Sequence, residues 1–277
     1  MNYETIEVQI SHRVAVVWLA RETVRNAFNE TSIAELTQAF TSLGVDPEVR
    51  AIVLAARGPA FCAGADLGWM KRMAAFSHDE NRADAMRLAT MLKTIDTCPK
   101  PVIARVHGDT YAGGIGLVAV CDVAVAAVGV EFCLSETRLG LIPATIGPYV
   151  VRAMGARHAR RYFLTAEKFE ASEAFRIGLV HDLAPPEELD GTINAMLGAL
   201  MQTSVHAVSE SKRLVRDLAG RTIDDALIAD TAERIAAIRT SEDGREGVRA
   251  FLEKRKARWL TEYESMLAET QGDEEPM

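Results

Sequence analysis

Cysteine is scarce in this chain: Cys62, Cys98, Cys121 and Cys133 are the four among 277 residues, and no two form a CxxC pair. That spacing offers neither a zinc site nor a thioredoxin-type redox motif. Three of the four sit in apolar or small-residue runs, as buried free thiols do in a reducing compartment. Proline is sparse too, at nine residues, with no Gly-, Ser- or Pro-rich linker and no internal repeat. Collagen-like, low-complexity and disordered architectures are thereby excluded. A surplus of basic charge is missing, since 31 Lys and Arg face 39 Asp and Glu for a net charge of −8. A general nucleic-acid binder needs that surplus to neutralise phosphates, although a local basic patch for a small phosphorylated ligand remains open. No uncharged apolar run is long enough to span a bilayer. The first ten residues lack a basic stretch followed by an apolar one, so a soluble, cytoplasmic protein without a signal peptide is expected.

What is present suits a globular α/β protein of one large domain, or a domain with a smaller appendage. A chain of this length buries roughly three quarters of its unfolded surface, enough to need no disulfide or structural metal. Ile6–Ile10 and Val14–Leu19 read as strands, and the His12-Arg13 break between them reads as a hairpin turn. Asn29 is placed to cap a helix whose Ile33, Leu36, Phe40 and Leu43 share one face. Ala51–Ala55, a polar helical stretch from Asp79 to Leu92, Pro101–Val106 and the apolar, β-branched run Val118–Ala127 follow. Strands separated by helices favour parallel pairing in a layered core, because parallel neighbours need a crossover. Beyond about Leu164 helical periodicity dominates, in Ala171–Ile177, Leu189–Met201, Val205–Leu218, Asp224–Ile238 and Glu246–Leu260. Gly178 fits the position just past a helix end, and the acidic tail from Thr261 to Met277 is expected to fray at its last residues.

Three segments have the residue types that chemistry needs. Phe61-Cys62-Ala63-Gly64-Ala65-Asp66-Leu67 follows an apolar strand and the Arg57-Gly58-Pro59 turn. Its small residues allow close backbone approach and free N–H groups for an oxyanion; equally, it is a tight turn with Asp66 starting a helix. Ala112-Gly113-Gly114-Ile115-Gly116 is not a dinucleotide fingerprint. It either exposes the first amides of a helix or simply lets helix and strand pack closely. Glu136, in Phe132-Cys133-Leu134-Ser135-Glu136, precedes Leu141, Ile142 and Pro143. Apolar cover from them would raise its pKa toward working pH and suit it to proton transfer; otherwise it is a capping or exposed glutamate. His107 reads as a packed strand end, and Trp69-Met70 as an acyl wall or ordinary core.

Taken together, these segments, with Thr137 to Pro143 completing the third, resemble the enoyl-CoA hydratase/isomerase (crotonase) family from about Tyr3 to Trp259. The stretch Pro143–Val150 with Gly113–Gly116 and Ser135-Glu136 further resembles bacterial 3-methylglutaconyl-CoA hydratases of leucine and isoprenoid catabolism. The resemblance implies a ββα spiral core over residues 1–200 that binds acyl-CoA thioesters, and a helical trimerisation region over 201–277. It implies assembly as a homotrimer or a dimer of trimers. Matched by position, Ala63 and Gly113 supply the two N–H donors for the thioester oxygen, and Glu136 is the catalytic acid. Ala27, Ala65, Asp66 and Leu67 line the coenzyme A channel, Gly116 lies on the substrate side, and Arg25 stands near the phosphates. Phe251 and Lys254 reach coenzyme A from the C-terminal helices; the plainer alternatives are a core anchor and a solvated charge. No metal or redox cofactor is implied, coenzyme A being part of the substrate.

The pattern departs from the family at one place. Typical hydratases carry a glutamate at the position of Gly116, leaving Glu136 as the single carboxylate here. Three readings follow: a hydratase that orients water by other means, a double-bond isomerase that needs one proton shuttle, or a non-catalytic acyl-CoA binder. In the first, Gly116 frees space beside Glu136 and a substrate's own carboxylate helps to hold water. A nucleophilic hydrolase is disfavoured, since no Ser–His–acid set falls at these turns.

Overall fold

The computed structural model describes residues 3–272, with side chains described as far as residue 266. By its contacts the chain divides into two units after Asn194. The first opens with strands β1 (Ile6–Ser11) and β2 (Val14–Leu19), an antiparallel hairpin whose turn residues His12 and Arg13 both have positive φ, 49° and 64°. Two left-handed residues match the twist of the paired strands, so the expected hairpin forms. Helix α1 (Glu30–Val45) begins at Asn29, whose side chain accepts from Ser32 N–H at 3.0 Å, and it buries Ile33, Leu36, Phe40 and Leu43.

A repeat then begins in which each turn of chain supplies one strand to a large sheet, one to a small sheet, and helical structure. The first turn is β3 (Ala51–Ala56), β4 (Ala60–Cys62), α2 (Leu67–Met73) and α3 (His78–Asp96). The second is β5 (Val102–Val106), β6 (Asp109–Tyr111) and α4 (Gly113–Ala119). The third is β7 (Val123–Ala127), β8 (Glu131–Cys133), a short 3₁₀ turn at Glu136–Leu139 and α5 (Gly147–Thr165). Strand β9 (Phe169–Glu170), α6 (Ala171–Arg176) and β10 (Asp182–Ala184) complete the two sheets. The large sheet runs β1-β2-β3-β5-β7-β10 and the small one β4-β6-β8-β9. This stepping between sheets is the ββα spiral that the resemblance implied. Every residue of β3 is buried, as a central strand of a sheet covered on both faces requires.

Two turns show how tightly the sheets are joined. A Cβ at Gly108, between β5 and β6, would lie 2.6 Å from the carbonyl oxygen of Pro59 and 2.9 Å from Cα of Ala60. Both are backbone atoms and cannot rotate away. Gly108→Ala is therefore expected to cost about 1–3 kcal/mol, read as a fall of roughly 3–10 °C in the melting midpoint; an unchanged midpoint would refute the close approach. Elsewhere the Tyr162 ring lies tilted against Phe169 with centroids 4.2 Å apart and donates its hydroxyl to Glu173 at 2.7 Å, fastening α5 to α6.

The Val118–Ala127 run splits, closing α4 at Ala119 and restarting as β7 at Val123. Apolar periodicity cannot separate a buried helix from a buried strand. Asp122 makes the break, its carboxylate accepting from Val102 N–H at 2.7 Å and its own N–H donating to Val102 O at 2.9 Å. Gly178 takes a φ of +81° just beyond α6, as expected.

The second unit is helical: the end of α7 (Leu189–Met201), then α8 (Val205–Leu218), α9 (Asp225–Thr240), α10 (Glu242–Leu252) and α11 (Arg258–Gly272). Ser204, Asp224 and Ser241 cap α8, α9 and α10 through their side chains. The single helix expected over Glu246–Leu260 is corrected to two. Lys254 enters the left-handed region at φ +53°, and Arg255 N–H returns to Ala250 O at 3.0 Å. Glu246 holds the break by pairing with the Arg255 guanidinium at 2.7 and 2.9 Å and accepting from Arg258 N–H at 3.1 Å. Such a clamp depends on folded geometry, which periodicity does not report. The last residues of the tail, expected to fray, lie outside the described residues from 273 onward. All four cysteines are free and buried. Among the described residues no helix is long and apolar enough to cross a membrane.

Candidate active site

Strands β4, β6 and β8 lie side by side and parallel, with Cys62 opposite Thr110 and Tyr111 opposite Cys133. The three segments singled out in the sequence therefore leave the same end of three adjacent strands. In open parallel sheets, the carboxyl ends of strands are where ligands gather.

The first segment is held by the turn before α1. Asn26, 3% exposed, donates its amide to the carbonyls of Arg57 and Ala60 at 2.7 and 2.8 Å and accepts from Arg21 N–H at 2.9 Å. Asn26 and Arg25 both have positive φ, 55° and 52°, a conformation asparagine tolerates better than most residues. This shape delivers the Arg25 carbonyl to Ala63 N–H at 3.0 Å. Next along, Phe28 N–H donates to Gly64 O at 2.9 Å and Asp66 N–H to Phe28 O at 3.0 Å. Gly64 takes φ +90°, and its N–H faces the Cys62 sulfur at 3.5 Å. The expectation for Ala63 is therefore corrected: its amide is already committed. Among the described residues, the Ala65 N–H is the one from 63 to 66 left without a partner.

The second segment turns on Ala112, whose φ of 48° and ψ of −120° are rare for a residue with a Cβ. Its N–H is anchored on Cys133 O at 2.8 Å. Gly113 follows as the first residue of α4, with an amide that has no carbonyl behind it. The two segments touch: a Cβ at Gly64 would stand 3.0 Å from the Cβ of Ala112, and one at Gly114 2.8 Å from the Cβ of Cys62. A Cβ at Gly113 would overlap the Phe28 ring tip. Glycine is needed here for close approach, and the turns bearing the free amides of Ala65 and Gly113 are packed together. Burial pushes the Cys62 thiol up to about 12, so this sulfur is packing rather than a nucleophile.

Glu136 opens the 3₁₀ turn after β8. One carboxylate oxygen, Oε2, is buried and has no hydrogen-bond partner. Desolvation raises its pKa above the usual glutamate range, against a smaller lowering from a backbone hydrogen bond. Of the three apolar residues expected to cover it, Leu141 and Ile142 stand 52% and 74% exposed, and Pro143 alone is buried. The expectation that Gly116 frees space beside Glu136 is also corrected. A Cβ at Gly116 would overlap Cγ2 of Ile146 and stand 2.8 Å from its Cβ, with Leu92 at 3.7 Å. That volume is filled.

The remaining residues divide. Arg25 is exposed, and no ion pair holds its guanidinium among the described residues, which leaves it free for a phosphate. Ala27 is buried, and its carbonyl accepts from the Arg21 guanidinium. Asp66 caps α2 through Trp69 N–H at 3.0 Å and pairs with Arg21 at 3.0 Å. Those bonds, the Trp69 amide foremost, hold its pKa low. Leu67 is 75% exposed. Trp69 is buried, tilted against Phe28 at 6.1 Å, and donates Nε1–H to Asp84 at 3.4 Å. His107 Nε2 lies 2.8 Å from Gly58 O, the packed strand end expected of it. Phe251 and Lys254 belong to the second unit, where Phe251 is 81% exposed and so no core anchor. Sequence reasoning missed Asn26, Phe28 and Ile146. Only Asn26 carried a local signal, a residue tolerant of positive φ between Arg25 and Ala27.

The enoyl-CoA hydratase/isomerase family model matches residues 9–262. The chain belongs to this family. It is 32% identical to a crotonyl-CoA hydratase of Syntrophomonas wolfei over 263 residues, covering 94% of this chain and all of that one. Among solved structures, an enoyl-CoA hydratase from Shewanella pealeana superposes with a TM-score of 0.90 at 40% identity, over 92% of this chain and 96% of that one. One from Mycobacterium smegmatis gives 0.86 at 36%, over 92% and 99%. The fold is thus the family's, and the chain is an enzyme of the family rather than a bare scaffold.

Proposed function

We propose that this protein adds water across the conjugated double bond of an α,β-unsaturated acyl-CoA thioester. The observation that supports it best is the clustering, at one end of three adjacent strands, of two uncommitted amides, Ala65 and Gly113, with a desolvated carboxylate, Glu136. Hydration passes through an enolate with negative charge on the thioester oxygen. Two preorganised N–H donors lower that state more than the neutral carbonyl, which is what accelerates a reaction. Glu136, ionised, takes a proton from the attacking water as oxygen bonds to the β-carbon. Its protonated form then delivers a proton to the α-carbon as the enolate reverts to the thioester. The net change is addition of one water, and the carboxylate returns to its starting state. Arg25 meets a coenzyme A phosphate, and Ala27 and Leu67 complete coenzyme A contacts. The chemistry calls on no metal or redox cofactor, and the resemblance adds a homotrimer or dimer of trimers.

The acyl group in this reading is of the 3-methylglutaconyl kind. With a single acid supplied by the protein, a carboxylate on the substrate near its β-carbon adds a second acceptor for the water. Hydration of 3-methylglutaconyl-CoA is expected to exceed that of crotonyl-CoA at least tenfold in kcat/KM. Loss of enoyl absorbance and uptake of labelled water oxygen are the readouts; equal rates would remove the substrate assignment. The filled volume at Gly116 favours one alternative, a double-bond isomerase, because a 1,3-proton shift needs one carboxylate. Isomerisation would proceed without incorporation of solvent oxygen.

A further inference from the structure

Gly113 and Gly116 are one turn apart on α4, so their side-chain positions share a face of the helix. At Gly113 that position meets the Phe28 ring, and at Gly116 it meets Ile146 and Leu92. Phe28 leans on buried Trp69, so the α4 face running inward from the free Gly113 amide is closed by apolar groups. Ile146 is 2% exposed and is not free to swing aside. Its carbonyl accepts from Tyr149 and Val150 N–H at 3.1 and 3.0 Å, which locks it to the first turn of α5. A side chain on α4 at position 116 therefore starts inside the volume that Ile146 holds at the α5 terminus, and one of the two must give way whatever its chemistry.

We propose that Ile146 is a specificity-determining residue: by filling the side-chain volume of position 116 it bars a polar water-holding group from α4, and so restricts turnover to thioesters that bring their own second acceptor. This rests on the hydratase reading and on the acyl class assigned to it. The physical logic is that a water attacking carbon is best oriented by two acceptors, and a well-packed isoleucine offers none. Opening the volume and placing a carboxylate there makes the substrate's own group dispensable.

The test compares wild type, Ile146→Gly, Gly116→Glu and the double variant on crotonyl-CoA and 3-methylglutaconyl-CoA. Glycine replaces Ile146 because an alanine would keep the Cβ that stands 2.8 Å from the added one. The double variant is expected to gain at least tenfold on crotonyl-CoA over Ile146→Gly, and its preference for the glutaconyl substrate is expected to fall by a similar factor. Gly116→Glu alone should lose soluble protein or activity on both substrates. A double variant no faster on crotonyl-CoA than Ile146→Gly would overturn the proposal, as would a Gly116→Glu protein as stable and active as wild type. Melting midpoints give a readout independent of activity. Gly116→Ala should lower the midpoint, and Ile146→Gly in the same chain should recover part of that loss; strictly additive losses would show that the two positions do not compete for one volume. Should wild type fail to hydrate either substrate, the hydratase reading fails, while the midpoint series still decides whether Ile146 plugs position 116.

Discussion

Glu136→Gln is expected to lose at least about 10³ in kcat, at the upper part of the range for a positioned acid–base group, while acyl-CoA affinity stays within a few-fold. The same substitution should raise the melting midpoint. Glu136 Oε2 is buried without a partner, and desolvation holds the group's native pKa above the usual value. A native pKa above the unfolded one means that the folded chain keeps a proton the unfolded chain has already lost. Stability from this group is thus fully present below the ordinary glutamate value and declines as pH rises through the raised one. At neutral pH the ionised carboxylate costs stability, and glutamine has no charge to desolvate. The midpoint difference between variant and wild type should therefore shrink as pH falls to about 4. Activity runs the other way, since the base must be ionised to accept the water's proton. The acid limb of kcat/KM should then lie above the usual glutamate value of about 4.3. A variant within tenfold of wild type, or one clearly less stable at neutral pH, would mean that Glu136 is an ordinary structural acid.

Gly113→Ala is expected to lower kcat by about 10²–10³, the effect of losing one oxyanion donor, although no polar group is removed. The added methyl would overlap Cζ of Phe28 and stand 3.1 and 3.3 Å from the two flanking ring carbons. Phe28 is 3% exposed, and its main chain is tied to Gly64 and Asp66. Ring and helix start must therefore move apart, carrying the Gly113 amide away from that of Ala65. Leucine at position 28 has no atom at the ring tip, so Phe28→Leu in the same chain should restore at least tenfold of the lost rate. Failure of the second substitution to restore any rate, with both proteins folded, would count against the amide as donor. A Gly113→Ala enzyme of full activity would do so more directly.

The three segments of interest were legible in the sequence because their signals are local. Small residues mark places where backbone approaches backbone. Asn29 as a helix cap and Gly178 past a helix end depend only on the hydrogen bonds or φ values that one residue type permits. The spiral was legible through resemblance and the longer strands of the large sheet through apolar runs, whereas the two- and three-residue strands β4, β6, β9 and β10 are too short to show a period. The division of Val118–Ala127 was not, since the cut depends on Asp122 reaching Val102. Nor was the interruption of the last helices, which Glu246 makes by gripping Arg255.

By itself the sequence determined the family, the α/β class with its helical C-terminal part, and the presence of one acid and two glycine-rich turns, since each of these is carried by residue type and spacing. Tertiary structure decided which amide is available and which volume is empty. Ala63 and Ala65 are the same residue type two positions apart, yet the Arg25 carbonyl takes the amide of the first and leaves that of the second. Gly116 has no side chain, yet the room beside it belongs to Ile146. A free donor and a filled volume are properties of neighbours brought from distant parts of the chain, and folding alone chooses those neighbours.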